Sequence, residues 1–200
     1  MATRTVIGLY DHYDDAARTV YQLEAAGIAA RDISLVARDF DGNAKSIATT
    51  EAGTAAGAGA TGAGLVGAAA GVLAGLGMLA IPGIGPVVAA GWLVSGAAGA
   101  AAGAALGAAA GGITGSFIAA GVSAEDADFY SEGLRRGGTV VTVKPDDKHQ
   151  AVAEAIVAER AVSSEVRGKF YRDNGWRHFD PNQPPYTREE IEAERQRYYR

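Results

Sequence analysis

The chain lacks cysteine entirely and has three histidines in 200 residues. Disulfides, thiolate metal sites and cysteine nucleophiles are therefore excluded. The three imidazoles, His12, His149 and His178, stand far apart in sequence. Positive charge is not in excess either. Eighteen Lys+Arg against 23 Asp+Glu give a net charge of −5, a poor electrostatic footprint for nucleic acid, so no nucleic-acid partner is expected. No secretory leader is legible, because the one early apolar run, Val6 to Tyr10, meets Asp11-His12-Tyr13-Asp14-Asp15 at once. The charged parts are accordingly expected in the cytoplasm. The largest gap is in charge itself: from Ala52 to Ala124 there is no Asp, Glu, Lys, Arg or His. A polar protein is interrupted by one long uncharged block.

The flanks of that block read as two halves of one α/β domain, residues 1–51 and 122–162. Thr5-Val6-Ile7-Gly8-Leu9-Tyr10 is short, apolar and β-branched, which predicts a buried strand. Asp14 or Asp15 is expected to cap a helix whose apolar stripe runs through Ala16, Val20, Leu23 and Ala26 and stops at Gly27. Ile33 to Ala37 is a second strand, ended by Asp39-Phe40-Asp41-Gly42-Asn43. Beyond the block, Ser123 and Asp126 form a reciprocal cap for a helix through Ala127, Tyr130 and Leu134. Gly137-Gly138 closes it, Thr139 to Val143 is a strand, and Asp146 or Asp147 opens a helix to Ala158. The order predicts an α+β fold, a split ferredoxin-like α/β sandwich interrupted in its middle.

Residues 52–121 must leave the sheet and return to it. Ile81-Pro82-Gly83-Ile84-Gly85-Pro86 supplies the reversal, since no helix continues through two prolines and two glycines. The two arms, roughly 54–81 and 87–118, are expected to be long helices. Glycine in a helix interior costs about 0.8–1 kcal/mol relative to alanine, so the glycines need a reason, and their spacing offers one. The first arm carries Gly59, Ala63, Gly67, Gly71 and Gly75. The second carries Gly91, Ser95, Gly99, Gly103, Gly107, Gly111 and Gly115. A four-residue phase of small side chains lets helix backbones approach closely, which makes this block a candidate glycine zipper for packing and homo-oligomerisation. Each arm is also long enough to span a bilayer. Membrane lipid and a second protein copy both remain open as partners, which places the chain in the cytoplasm or on the cytoplasmic face of an inner membrane with an inserted hairpin.

Chemical motifs are weak. Gly57-Ala58-Gly59-Ala60-Thr61-Gly62 and Gly62-Ala63-Gly64-Leu65-Val66-Gly67 match G-x-G-x-x-G. A dinucleotide site also needs a preceding strand and an acid about 20 residues on, and no acid follows until Glu125. No cofactor is expected. Asp11, His12, Asp14 and Asp15 read as an acidic helix start favoured by the helix dipole rather than as metal ligands. No catalytic residues are assigned, and the chain is read as a non-enzyme. Residues 163–200 hold seven of the fifteen aromatics, too many for a solvated tail. They are read as a docking arm that fastens neighbouring chains, with Trp176, Phe179 and Tyr186 as its anchors, and Thr187-Arg188-Glu189-Glu190 as a capping box for a terminal helix.

Val6-Ile7-Gly8-Leu9-Tyr10, Ile81-Pro82-Gly83-Ile84-Gly85-Pro86, Gly121-Val122-Ser123-Ala124-Glu125-Asp126-Ala127 and the run Tyr130 to Val143 resemble bacterial general stress proteins of the heat- or low-temperature-induced type. The resemblance covers roughly residues 5–160, and the tail looks like an extension found on some relatives. It implies stress-linked expression and a split ferredoxin-like domain with a hydrophobic insert, and it supplies no catalytic residues. The expected function is a non-enzymatic stress-response protein that self-associates through its zipper hairpins. The alternative is a soluble ligand-sensing or regulatory module that dimerises through the hairpin.

Overall fold

A computed structural model describes residues 4–40, 77–93 and 112–198. Eleven regular elements follow in order: β1 (Val6–Tyr10), α1 (Tyr13–Ala25), β2 (Ile33–Arg38), β3 (Gly77–Ile81), β4 (Gly85–Gly91), α2 (Gly112–Ala119), α3 (Ala124–Arg135), β5 (Thr139–Val143), α4 (Gln150–Arg160), α5 (Ser164–Asp173) and α6 (Arg188–Tyr198). The five strands form one sheet in the order β1-β5-β2-β4-β3, antiparallel at every step. The fold is thus α+β, and β5 sits between β1 and β2, so the two flanks of the uncharged block do build one sheet.

Side-chain alternation along the strands explains the layers. Leu9, Val36, Val87, Ala89 and Val140 point to one face, where they meet Ala127, Tyr130 and Leu134 of α3 and Phe117 of α2. Tyr10, Leu35, Val88, Val141 and Val143 point to the other, against Val20 and Leu23 of α1 and Ala153 and Val157 of α4. The central strands are buried on both faces, which is why they read as continuous apolar runs. A ferredoxin-like sandwich stacks its helices on one face, whereas here helices cover both.

Local signals match the expected caps. The Asp126 amide donates to Ser123 Oγ at 3.1 Å, and Thr187 and Glu190 exchange the two bonds of a capping box. Gly27 and Gly137, with φ of 92° and 79°, end their helices in the left-handed region. The α1 cap differs: His12 occupies the N-cap position without a side-chain bond, and Asp14 and Asp15 lie in the first turn.

The described part of the uncharged block departs from the helical arms expected there. The reversal falls at Pro82-Gly83-Ile84 as expected, but Gly77–Ile81 and Gly85–Gly91 on either side of it are strands. The reason is burial. Val87, Val88, Ala89 and Ala90 fill both faces beside β2, satisfying the backbone edge that β2 would otherwise expose. Gly91, assigned to the zipper, has φ +88°, and a Cβ there would run into the Ile33 carbonyl and Ser34. It is glycine because β4 closes on β2 at that point. Of the other zipper positions, Gly115 lies in α2. Gly59, Gly67, Gly71, Gly75, Gly99, Gly103, Gly107 and Gly111 lie outside the described residues, as do both G-x-G-x-x-G matches.

Candidate functional site

The arm of residues 163–198 folds back onto its own chain. Tyr171, Trp176 and Phe179 enter the same core as Leu9, Phe117, Phe129 and Leu134. Tyr171 meets Phe129 at 5.8 Å and Trp176 at 6.0 Å between ring centroids. Trp176 and Phe179, expected to fasten a neighbouring chain, are thus packed into the core of their own chain. The tip of the β3–β4 turn is part of that surface: a Cβ on Gly83 would lie 2.8 Å from Pro181, and one on Gly85 3.5 Å from Pro185.

A lattice of buried charges locks the arm down. Arg135 reaches Glu132 with Nε and a terminal nitrogen at 2.8 Å each. Arg136 donates to Glu132 at 2.6 Å and to Glu194 of α6 at 2.5 Å. Arg136 also lies over the rings of Tyr171 and Tyr186, at 4.3 and 4.9 Å. Arg38 donates to the carbonyls of Arg135 and Tyr186. At the other end of the arm, Arg167 grips Asp11 with both terminal nitrogens, at 2.7 and 2.8 Å, beneath the Tyr198 ring. Arg195 donates to the Gly137 carbonyl at 3.1 Å and to the Asp11 carbonyl.

Electrostatics follow from burial and pairing. Desolvation pulls the Arg167 and Arg136 pKa values down, but the facing carboxylates of Asp11, and of Glu132 and Glu194, outweigh it and hold both guanidiniums charged. Burial raises the Glu194 pKa against the pull of Arg136, and burial pushes the Tyr10 phenol up to about 12. These charges are paired with one another and closed to solvent, with Glu194 Oε1 left without a partner, an arrangement that holds structure together.

A cleft of about 470 Å³ lies open along the free edge of β1. Val6, Ile7 and Gly8 form its floor, Glu154, Val157 and Ala158 of α4 one wall, and Tyr130 with Val162 to Glu165 the rest. Among the described residues no cluster of three His, Asp or Glu could hold a metal ion, and Asp11 is turned inward to Arg167. His149 pairs with Asp146 at 2.6 Å on the surface.

Sequence spacing pointed to none of the long-range pairs, nor to α5. The i,i+3 and i,i+4 relation of Glu132 to Arg135 and Arg136 was a legible signal, whereas Asp11–Arg167 and Arg136–Glu194 join distant elements and leave no spacing to read.

No curated protein and no solved structure matches the chain. Residues 5–83, from β1 to the β3–β4 turn, match the heat induced stress protein YflT domain, which supports a general stress protein family.

Proposed function

We propose that the protein is a non-enzymatic component of a general stress response that self-associates through its glycine-zipper block, in the plane of a membrane or as the interior of a soluble assembly. The match of residues 5–83 to the YflT domain carries the stress-response part. The four-residue phase of small side chains supports the self-association. No helix among the described residues is long and apolar enough to cross a membrane, so insertion would fall to residues outside them. The β1 cleft favours a second reading, a ligand-sensing module whose uncharged block serves only to dimerise it.

Size measurement with membrane fractionation separates the readings. A large soluble particle supports the assembly, detergent dependence supports insertion, and a small dimer supports the sensor. Gly103→Leu with Gly107→Leu should reduce particle size. An unchanged size rejects the zipper as the means of association.

A further inference from the structure

We infer that the free edge of β1 is the docking surface for β1 of a second copy of this chain, the two sheets joining edge to edge about a two-fold axis at Val6. The Lys144 amide donates to the Asp32 carbonyl, which turns Thr139, Val141 and Val143 of β5 toward β1; their partners Tyr10, Gly8 and Val6 are therefore bonded inward, and the backbone groups of Ile7, Leu9 and, by alternation, Thr5 face outward. Leu9 is already taken, because the Val162 amide donates to its carbonyl at 2.8 Å. The open part of the edge is therefore Thr5 to Ile7, and that stop sets the register. It pairs Thr5 with Ile7 of the second copy and Ile7 with Thr5, each pair exchanging both backbone bonds, with Val6 facing Val6 across the axis. The Tyr130 hydroxyl reaches the Ile7 carbonyl at only 3.4 Å, and that oxygen has a second lone pair to offer.

Charge complementarity selects a second copy as the occupant. Arg4 is exposed, and among the described residues no ion pair holds it. The same register sets Arg4 of one copy opposite Gly8 of the other, on the face covered by α4. There Glu154 lines the cleft, and among the described residues its carboxylate accepts from Gln150 of its own helix. Because the axis repeats every contact, the Arg4–Glu154 pair forms twice. Ala158 on the same wall leaves room for the incoming strand. The surface thus complements itself, as a two-fold interface must. This inference rests on the self-association proposed above, but not on the zipper, and the two fail separately.

The test uses the full chain, which has no background cysteines. Val6→Cys should form an intermolecular disulfide under mild oxidation, since facing residues of a non-bonded antiparallel pair lie within disulfide reach. Arg4→Glu should weaken the dimer roughly tenfold through two reversed pairs, and adding Glu154→Arg should restore it. Sedimentation of the unoxidised proteins reads the charge swap. An oligomer whose Val6→Cys variant stays unlinked overturns this interface and leaves the zipper standing. A monomer overturns both, and a linked dimer indifferent to the charge swap overturns the register.

Discussion

Arg167 and Asp11, 156 positions apart, face each other through two hydrogen bonds of 2.7 and 2.8 Å, with both side chains less than a tenth exposed. The pair ties the first residue after β1 to α5 and so fixes where the arm begins. Removing one partner leaves an uncompensated buried charge, which costs about 3–5 kcal/mol. Arg167→Leu should therefore lower unfolding stability by about that amount in urea titration, and the double variant Arg167→Leu, Asp11→Leu should recover part of it.

Glu194 gives a prediction with the opposite sign. Burial raises its pKa above the usual carboxylate value of 4.5, and Glu194 Oε1 is buried without a partner. The folded state therefore holds this proton more tightly than the unfolded chain does. The stability linked to this group is present below the unfolded pKa and is lost as pH rises through the folded one. Glu194→Gln removes that term while keeping a hydrogen-bonding group. The difference in stability between Glu194→Gln and the parent should shift in favour of the variant as pH rises from 4 toward neutrality. A difference independent of pH across that window rejects the argument.

The sheet's three flanking strands, the Ser123 and Thr187 caps and the closing glycines were legible in the sequence, because period, cap chemistry and positive φ are local properties. The strands of the uncharged block were not. Met78-Leu79-Ala80-Ile81 and Val87-Val88-Ala89-Ala90 are apolar runs without alternation, and such a run is equally a buried helix until its neighbour is known. The glycines around them tipped the reading toward helix packing, although Gly83, Gly85 and Gly91 all have positive φ. The anchors Trp176 and Phe179 were legible from aromatic density, but composition does not say which chain they dock on. Their partners Leu134 and Phe129 lie in α3, and the Arg136–Glu194 bond that joins the same two regions spans 58 positions.

Gly91 separates strand from zipper directly. In a helix interior, Gly→Ala is favourable by about 0.8–1 kcal/mol. At φ +88°, with the Ile33 carbonyl and Ser34 where a Cβ would go, it is strained and blocked. Gly91→Ala should therefore lower the melting temperature, by an amount corresponding to about 1–3 kcal/mol or more. A stabilised variant would reinstate the helical reading at this position.

Truncation after Val162 tests whether the arm is a separate appendage or part of the core. A fastener for neighbouring chains could be cut away without unfolding the α/β body. The arm contributes more than that. Tyr171, Trp176 and Phe179 are 1%, 8% and 8% exposed, packed among Leu9, Phe117, Phe129 and Leu134. Burying a large apolar side chain is worth about 1.5–3 kcal/mol relative to leaving it exposed, so losing three removes about 4.5–9 kcal/mol, comparable to a typical domain's stability of about 5–15 kcal/mol. The cut also strands Asp11 and removes Glu194 from Arg136. The truncated chain should show lost cooperativity in thermal unfolding and faster amide exchange in α3 and β1, far from the cut in sequence. In the intact chain, the Trp176 amide, which donates to the Tyr171 carbonyl at 3.0 Å, should exchange slowly. A truncated protein that melts like the parent would return the arm to the role of an appendage.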